Sequence, residues 1–142
     1  MSSMEKYKTR ERASKPIRVN LIDPGTGRPT EDWIEVRSSL SDEFLAARDD
    51  AMQLAAEIGS IKDLNARKAQ VKLNGLRMKA ALVAGWSFEE ECNERNVIAF
   101  MQEAPQIQDL VVTIADDNAA FFMLPSTPSS NGPKKKSASA GR

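Results

Sequence analysis

The chain has 142 residues, 41% apolar and 28% charged with zero net charge, which fits one globular domain and excludes wholesale disorder. Its longest near-continuous apolar run, Ala80 to Trp86, falls far short of the ~20 residues that span a bilayer. The charged stretch Met4 to Arg10 lacks the apolar segment of a signal peptide, so a cytoplasmic protein is expected.

The zero sum conceals an uneven distribution. Residues 1–18 hold six Lys or Arg against two Glu, residues 125–142 hold four Lys or Arg and no acid, and the stretch between holds ten basic against eighteen acidic residues. An acidic body disfavours nucleic acid, because phosphates repel it, while basic ends alone give weak, salt-sensitive contacts.

In chain order, residues 1–15 read as a disordered basic arm, rich in Lys, Arg, Glu and Ser and without apolar periodicity. Order is expected from Pro16. Ile17, Val19 and Leu21 alternate with polar neighbours, Asp23 to Pro29 supplies turn chemistry, and Trp33 to Val36 resumes an extended pattern, which predicts a β-hairpin over 17–37.

Ser41 before Asp42 and Glu43 is a helix start, with a hydroxyl to cap an open N–H and acids at the positive end of the dipole. The stripe Phe44, Ala47, Ala51, Leu54, Ile58 predicts a helix over about 42–58. After a break at Gly59-Ser60, a second helix is expected over 61–84. Its first half carries a narrow apolar line through Ile61, Leu64 and Val71, and its second half, with Leu73, Leu76, Met78, Ala80, Leu82 and Val83, is expected to be buried nearly all round. Ser87 with Glu90 three residues on has the form of a capping box, predicting a short helix over 87–92. Asn93 is expected to cap another over 94–104, ended by Pro105. Helical spacing from Ile107 through Leu110, Val111, Ile114 and Phe121 predicts a last helix over 106–122; the β-branched run Val111 to Ile114 would also suit a strand, but the length of the periodic segment favours helix. Residues 125–142, made of Pro, Ser, Asn, Gly, Lys and Ala, read as a disordered basic tail. The fold class is therefore mainly α with a small N-terminal β-hairpin (α+β): one bundle-like domain over 16–124 between two disordered ends.

Catalytic and metal chemistry find little to work with. There is no histidine, and Cys92 is the one cysteine, so an internal disulfide, a Cys/His zinc site and Ser-His-Asp catalysis are excluded. No cofactor and no enzyme activity are expected. Asp23-Pro24-Gly25-Thr26-Gly27 lacks the Gly-Lys-Ser/Thr ending of a phosphate loop and reads as a turn. The adjacent carboxylates Asp49-Asp50, Glu89 to Glu91 and Asp116-Asp117 point about 100° apart on a helix and do not converge on a metal. Acidic neighbours should hold the Cys92 thiol protonated, as a small packed side chain. Large aromatics are then the residues most able to anchor a partner or to fill the core: Trp33, Trp86, Phe88, Phe121 and Phe122, with Phe88 and Phe122 the best candidates for exposure. The candidate partner-binding residues are Trp86, Phe88, Phe121 and Phe122, joined by Leu76 and Met78 from the apolar half of the second helix.

The ordered combination of the hairpin, Asp23-Pro24-Gly25-Thr26-Gly27 with Trp33-Ile34-Glu35-Val36, the start Ser41-Asp42-Glu43-Phe44, the segment Leu82 to Phe88, Asn96-Val97 and the ending Ala119-Ala120-Phe121-Phe122 resembles the tail assembly chaperones of long-tailed bacteriophages. The resemblance covers most of Ile17 to Leu124 and neither end. It implies a protein that coats the long, helical, aggregation-prone tape measure protein and keeps it soluble until tail tube subunits polymerise around it. It implies host-cytoplasmic action and absence from the mature virion, groove binding of amphipathic helices by many copies, and self-association. A longer form made by ribosomal frameshifting would engage the tail tube protein. Lys134, Lys135 and Lys136 can be encoded by an unbroken adenine run, a sequence on which ribosomes slip, and they equally suit a solvated basic tail. Two other readings stay open: a minor tail or scaffolding protein retained in the virion, and a nucleic-acid-binding phage protein using its basic ends.

Overall fold

A computed structural model describes residues 3–123. It is mainly helical with one small sheet, as the sequence predicts. The strands β1 (Ile17–Ile22) and β2 (Pro29–Val36) form an antiparallel hairpin. Its turn is built on Asp23, whose carbonyl accepts from the N–H groups of Thr26 and Gly27 and whose carboxylate accepts from Gly25 N–H at 2.7 Å. Gly27 sits at φ 72°, a conformation that excludes most side chains. Pairing of Ile17 with Val36 and of Val19 with Ile34 puts these residues on one face, which is the face that meets the helices.

From β2 the chain passes through Ser38 and Ser41, both fully buried, into α2 (Asp42–Gly59). Ser41 Oγ accepts from Phe44 N–H at 3.3 Å, the expected cap. α3 (Leu64–Ala80) returns antiparallel to α2, capped by Asp63 and tied to it by Asn74, whose amide donates to the Ala51 carbonyl at 2.9 Å. Then comes β3 (Val83–Trp86), which pairs antiparallel with β2 and completes a sheet of order β1-β2-β3. Finally α4 (Glu94–Glu103) and α5 (Pro105–Ala115) cover the inner face of the sheet and the end of α3, and α6 (Asn118–Phe122) packs against the N-terminal segment. Ile34, Val36, Met101, Val111 and Ala115 are fully buried at the centre of this core.

Four expectations are corrected. The N-terminal arm is not wholly unstructured: a 3-10 turn at Glu5–Tyr7 is followed by a one-turn helix, α1 (Arg10–Ala13), and Ala13 is 1% exposed. A single small residue can dock without any periodicity, so the composition of 1–15 carries no sign of it. The helix expected over 61–84 is confined to 64–80, and its second half is mostly half-buried rather than enclosed. Val83–Trp86 is a strand, because Arg37 N–H bonds the Leu82 carbonyl at 2.6 Å and the β2 edge takes up the backbone.

No helix forms over 87–92. Ser87 Oγ accepts instead from Trp33 N–H at 2.9 Å, so the hydroxyl that would have capped a helix is spent on the sheet. The helix expected over 106–122 is split at Asp116-Asp117, where the Asp117 carboxylate accepts from Ala120 N–H and starts α6 afresh. The tail 125–142, with Lys134, Lys135 and Lys136, lies outside the described residues.

Candidate functional site

The segment after β3 is pinned at three points. Ser87 N–H donates to the Trp33 carbonyl at 3.0 Å, Trp86 Nε1 donates to the Glu90 carbonyl at 2.7 Å, and Asn96 of α4 donates its side-chain amide to the Glu91 carbonyl at 2.8 Å. This fixes a hairpin-like bend that turns Phe88 back over Trp86. Asn93, whose carboxamide oxygen accepts from Asn96 N–H at 2.8 Å, then launches α4 so that Phe100 faces the same place.

Three rings converge there. Trp86 and Phe88 lie 5.4 Å apart, Trp86 and Phe100 5.8 Å, and Phe88 and Phe100 5.3 Å, all edge to face. Each such pair contributes about 0.5–1.5 kcal/mol beyond simple burial. All three rings are half-buried. Above them opens a cleft of about 400 Å³ whose walls are the rings, Ala99 and Asn96, with Glu90 and Glu103 on its border. A neighbouring depression shares Phe88 and Glu90 and adds Asp32 and Glu89. The site is thus an aromatic floor with a carboxylate rim, a shape that takes up an apolar side chain and favours positive charge around it.

Of the six partner-binding candidates, the structure brings Trp86 and Phe88 together. Leu76 is 4% exposed and Phe121 8%, so both are core residues and are corrected as contact candidates. Met78 is half-buried on α3, and Phe122 is half-buried beside Phe121, away from the cluster. Trp33 lies under the guanidinium of Arg18 at 3.6 Å on the outer face of the sheet, and Arg18 also pairs with Glu35. The residue missed from the sequence is Phe100. Its signal was present: it stands three residues after Val97 and beside Met101, on the margin of the apolar stripe of α4, where a large ring is half covered.

No family model, curated protein or solved structure matches this chain. Among the described residues no group of three or more His, Cys, Asp or Glu is placed to hold a metal ion, and no helix is long and apolar enough to cross a membrane. Cys92 is half-buried just before the Asn93 cap of α4, and the pKa of its thiol is raised above its ordinary value. Burial is the main cause, the charge of Arg37 opposes it, and Glu35 adds to it. The acids adjacent in sequence are not the reason. Around Trp86, three half-buried rings in mutual edge-to-face contact lie at an open surface, the indole held by its hydrogen bond to the Glu90 carbonyl.

Proposed function

We propose that this chain is a tail assembly chaperone, a non-catalytic protein that binds amphipathic helices of a tape measure protein in the host cytoplasm and keeps them soluble until the tail tube forms. The observation that supports this reading is the open cleft over Trp86, Phe88 and Phe100. A helix presents one apolar side chain per turn or two, and a cleft of this size accepts one such anchor while the rest of the helix lies along α4. The carboxylate rim of Glu90, Glu103 and Glu89 favours anchors flanked by Lys or Arg and discourages acidic segments.

Repeated weak anchoring along a long partner suits coating better than a single tight contact would, because many copies on one chain add avidity without new contacts. The reading that uses basic ends on nucleic acid is less well supported. Arg10 is engaged by the carboxylate of Asp42, and Arg12 by the backbone of α6, which removes two cations from that task.

The test is co-expression with a tape measure protein, taken from any long helical reading frame found beside this gene. The partner should be recovered soluble and bound with the native chain, and insoluble with a Phe88→Ala, Phe100→Ala double variant of normal helical content. Unchanged solubility with and without this chain would overturn the proposal. Recovery of the protein from purified virions would instead favour a retained structural component.

A further inference from the structure

Asp32, Glu89, Glu90 and Glu103 border the aromatic cleft and the depression beside it, and no lysine or arginine lines either. All four acids are exposed, and among the described residues none of them takes part in an ion pair. Other acids do: Glu5 holds Lys8, Asp42 holds Arg10 and Glu35 holds Arg18. Like charges crowded around apolar rings concentrate a negative field at the mouth of the cleft.

The chain carries a match for that field. Residues 125–142 hold Lys134, Lys135, Lys136 and Arg142 and no acid. At the other end Lys8, Arg10 and Arg18 are engaged by the acids just named, and Arg12 by the Phe122 carbonyl. Pro133 stands directly before the three lysines. A proline has no N–H to leave unpaired, and proline-containing segments dock on aromatic side chains at low ordering cost because their extended conformation is set in advance. Pro133-Lys134-Lys135-Lys136 is therefore an apolar ring followed by positive charge, the complement of an aromatic floor with a carboxylate rim.

The segment can reach its target. Arg12 holds Phe122, the carbonyl of the next residue, Ala13, accepts from Ser38 N–H, and Trp33, five residues before Ser38, is bonded to Ser87, which lines the depression. Five residues of chain cover at most about 18 Å, whereas the ten steps from Met123 to Pro133 cover up to about 35 Å.

We propose that residues 125–142 fold back on their own domain, with Pro133 seated over Trp86, Phe88 and Phe100 and Lys134 to Lys136 against Glu89, Glu90 and Glu103. The tail is then a tethered occupant: it covers the rings, and an incoming partner enters by displacing it. Exposed ion pairs are individually weak and screened by salt, so the contact opens readily. It requires only the cleft and the tail, so its failure would leave the chaperone reading standing.

A spin label on the full chain tests this, attached at Ser137→Cys in a Cys92→Ser background whose circular dichroism matches the native chain. At low salt the label should broaden the Trp86 indole N–H signal and the amides of Ala99 to Glu103, and the broadening should recede at about 0.5 M salt. Lys134→Glu, Lys135→Glu and Lys136→Glu together should abolish it without touching the fold. Adding Glu89→Lys and Glu90→Lys, at two exposed positions, should restore it. Mixing spin-labelled chains with isotope-labelled chains that carry no spin label should give no broadening. Signals at the cleft that do not respond to the label, or respond equally with the three lysines reversed, would overturn the proposal, as would broadening in the mixture as strong as within one chain.

Discussion

The guanidinium of Arg12 donates a 2.6 Å hydrogen bond to the backbone carbonyl of Phe122, joining α1 to α6 across 110 residues. A charged donor on a partly buried carbonyl is worth about 1.5–3 kcal/mol when formed. Ala13, buried beside it, has its own carbonyl accepting from Ser38 N–H. Arg12→Ala should therefore lower unfolding free energy by about 1–2 kcal/mol and speed hydrogen exchange in α6. A chain starting at Pro16, which the composition of the arm would suggest as the natural boundary, should lose at least as much. Urea denaturation of the two forms gives the answer.

Ser87→Ala separates a strand ending from a helix start. The hydroxyl accepts from Trp33 N–H and donates to the Trp33 carbonyl, so its loss leaves a strand-end donor without its partner at a cost of about 1 kcal/mol. Helical content should not change. A drop in the far-ultraviolet helix signal would contradict the local structure over 87–92.

Core positions should respond far more strongly. Ile34 is 0% exposed on β2, paired with Trp86 of β3 and facing the helices. Ile34→Ala should cost about 2–5 kcal/mol in equilibrium unfolding, whereas Met52→Ala at an exposed site should stay within about 0.5 kcal/mol of the native chain.

Cys92 offers a pH readout. Its thiol titrates above the ordinary range in the folded protein because burial disfavours the thiolate. The neutral thiol is thus favoured by folding. Its contribution to stability is complete below the unfolded thiol value and is lost as pH rises through the folded value. Alkylation of the native chain should show a pH midpoint above that of an unfolded control, and the native chain should lose more stability than Cys92→Ser between neutral and strongly alkaline pH.

Local signals in the sequence were sufficient where the structure uses local bonds. Ser41 and Asn93 cap α2 and α4 as their side-chain chemistry dictates, Gly27 takes the turn conformation that only it adopts cheaply, and Pro105 stands at the start of α5. The misread segments were settled by distant partners. Leu82 to Trp86 is a short apolar run that fits either a buried helix or a buried strand, and only the open edge of β2 decides between them. Ser87 and Glu90 match a capping box, yet the hydroxyl is claimed by Trp33, 54 residues away in sequence. The candidate site follows the same division: Trp86 and Phe88 stand out as aromatics near a bend, while Phe100 joins them only because α4 packs across that bend.

The sheet has a consequence for how the chain reaches its native state. β1 and β2 can zip together at once, but β3 enters only after the whole excursion through α2 and α3 has brought Val83 back to Val36. The helical hairpin, rich in near-neighbour contacts, is suited to form early and act as a clasp that shortens this search. Changes that loosen the α2–α3 turn, such as lengthening the link at Ser60 to Lys62, should then slow refolding more than they speed unfolding, a signature of a rate-limiting nucleus placed outside the sheet it completes.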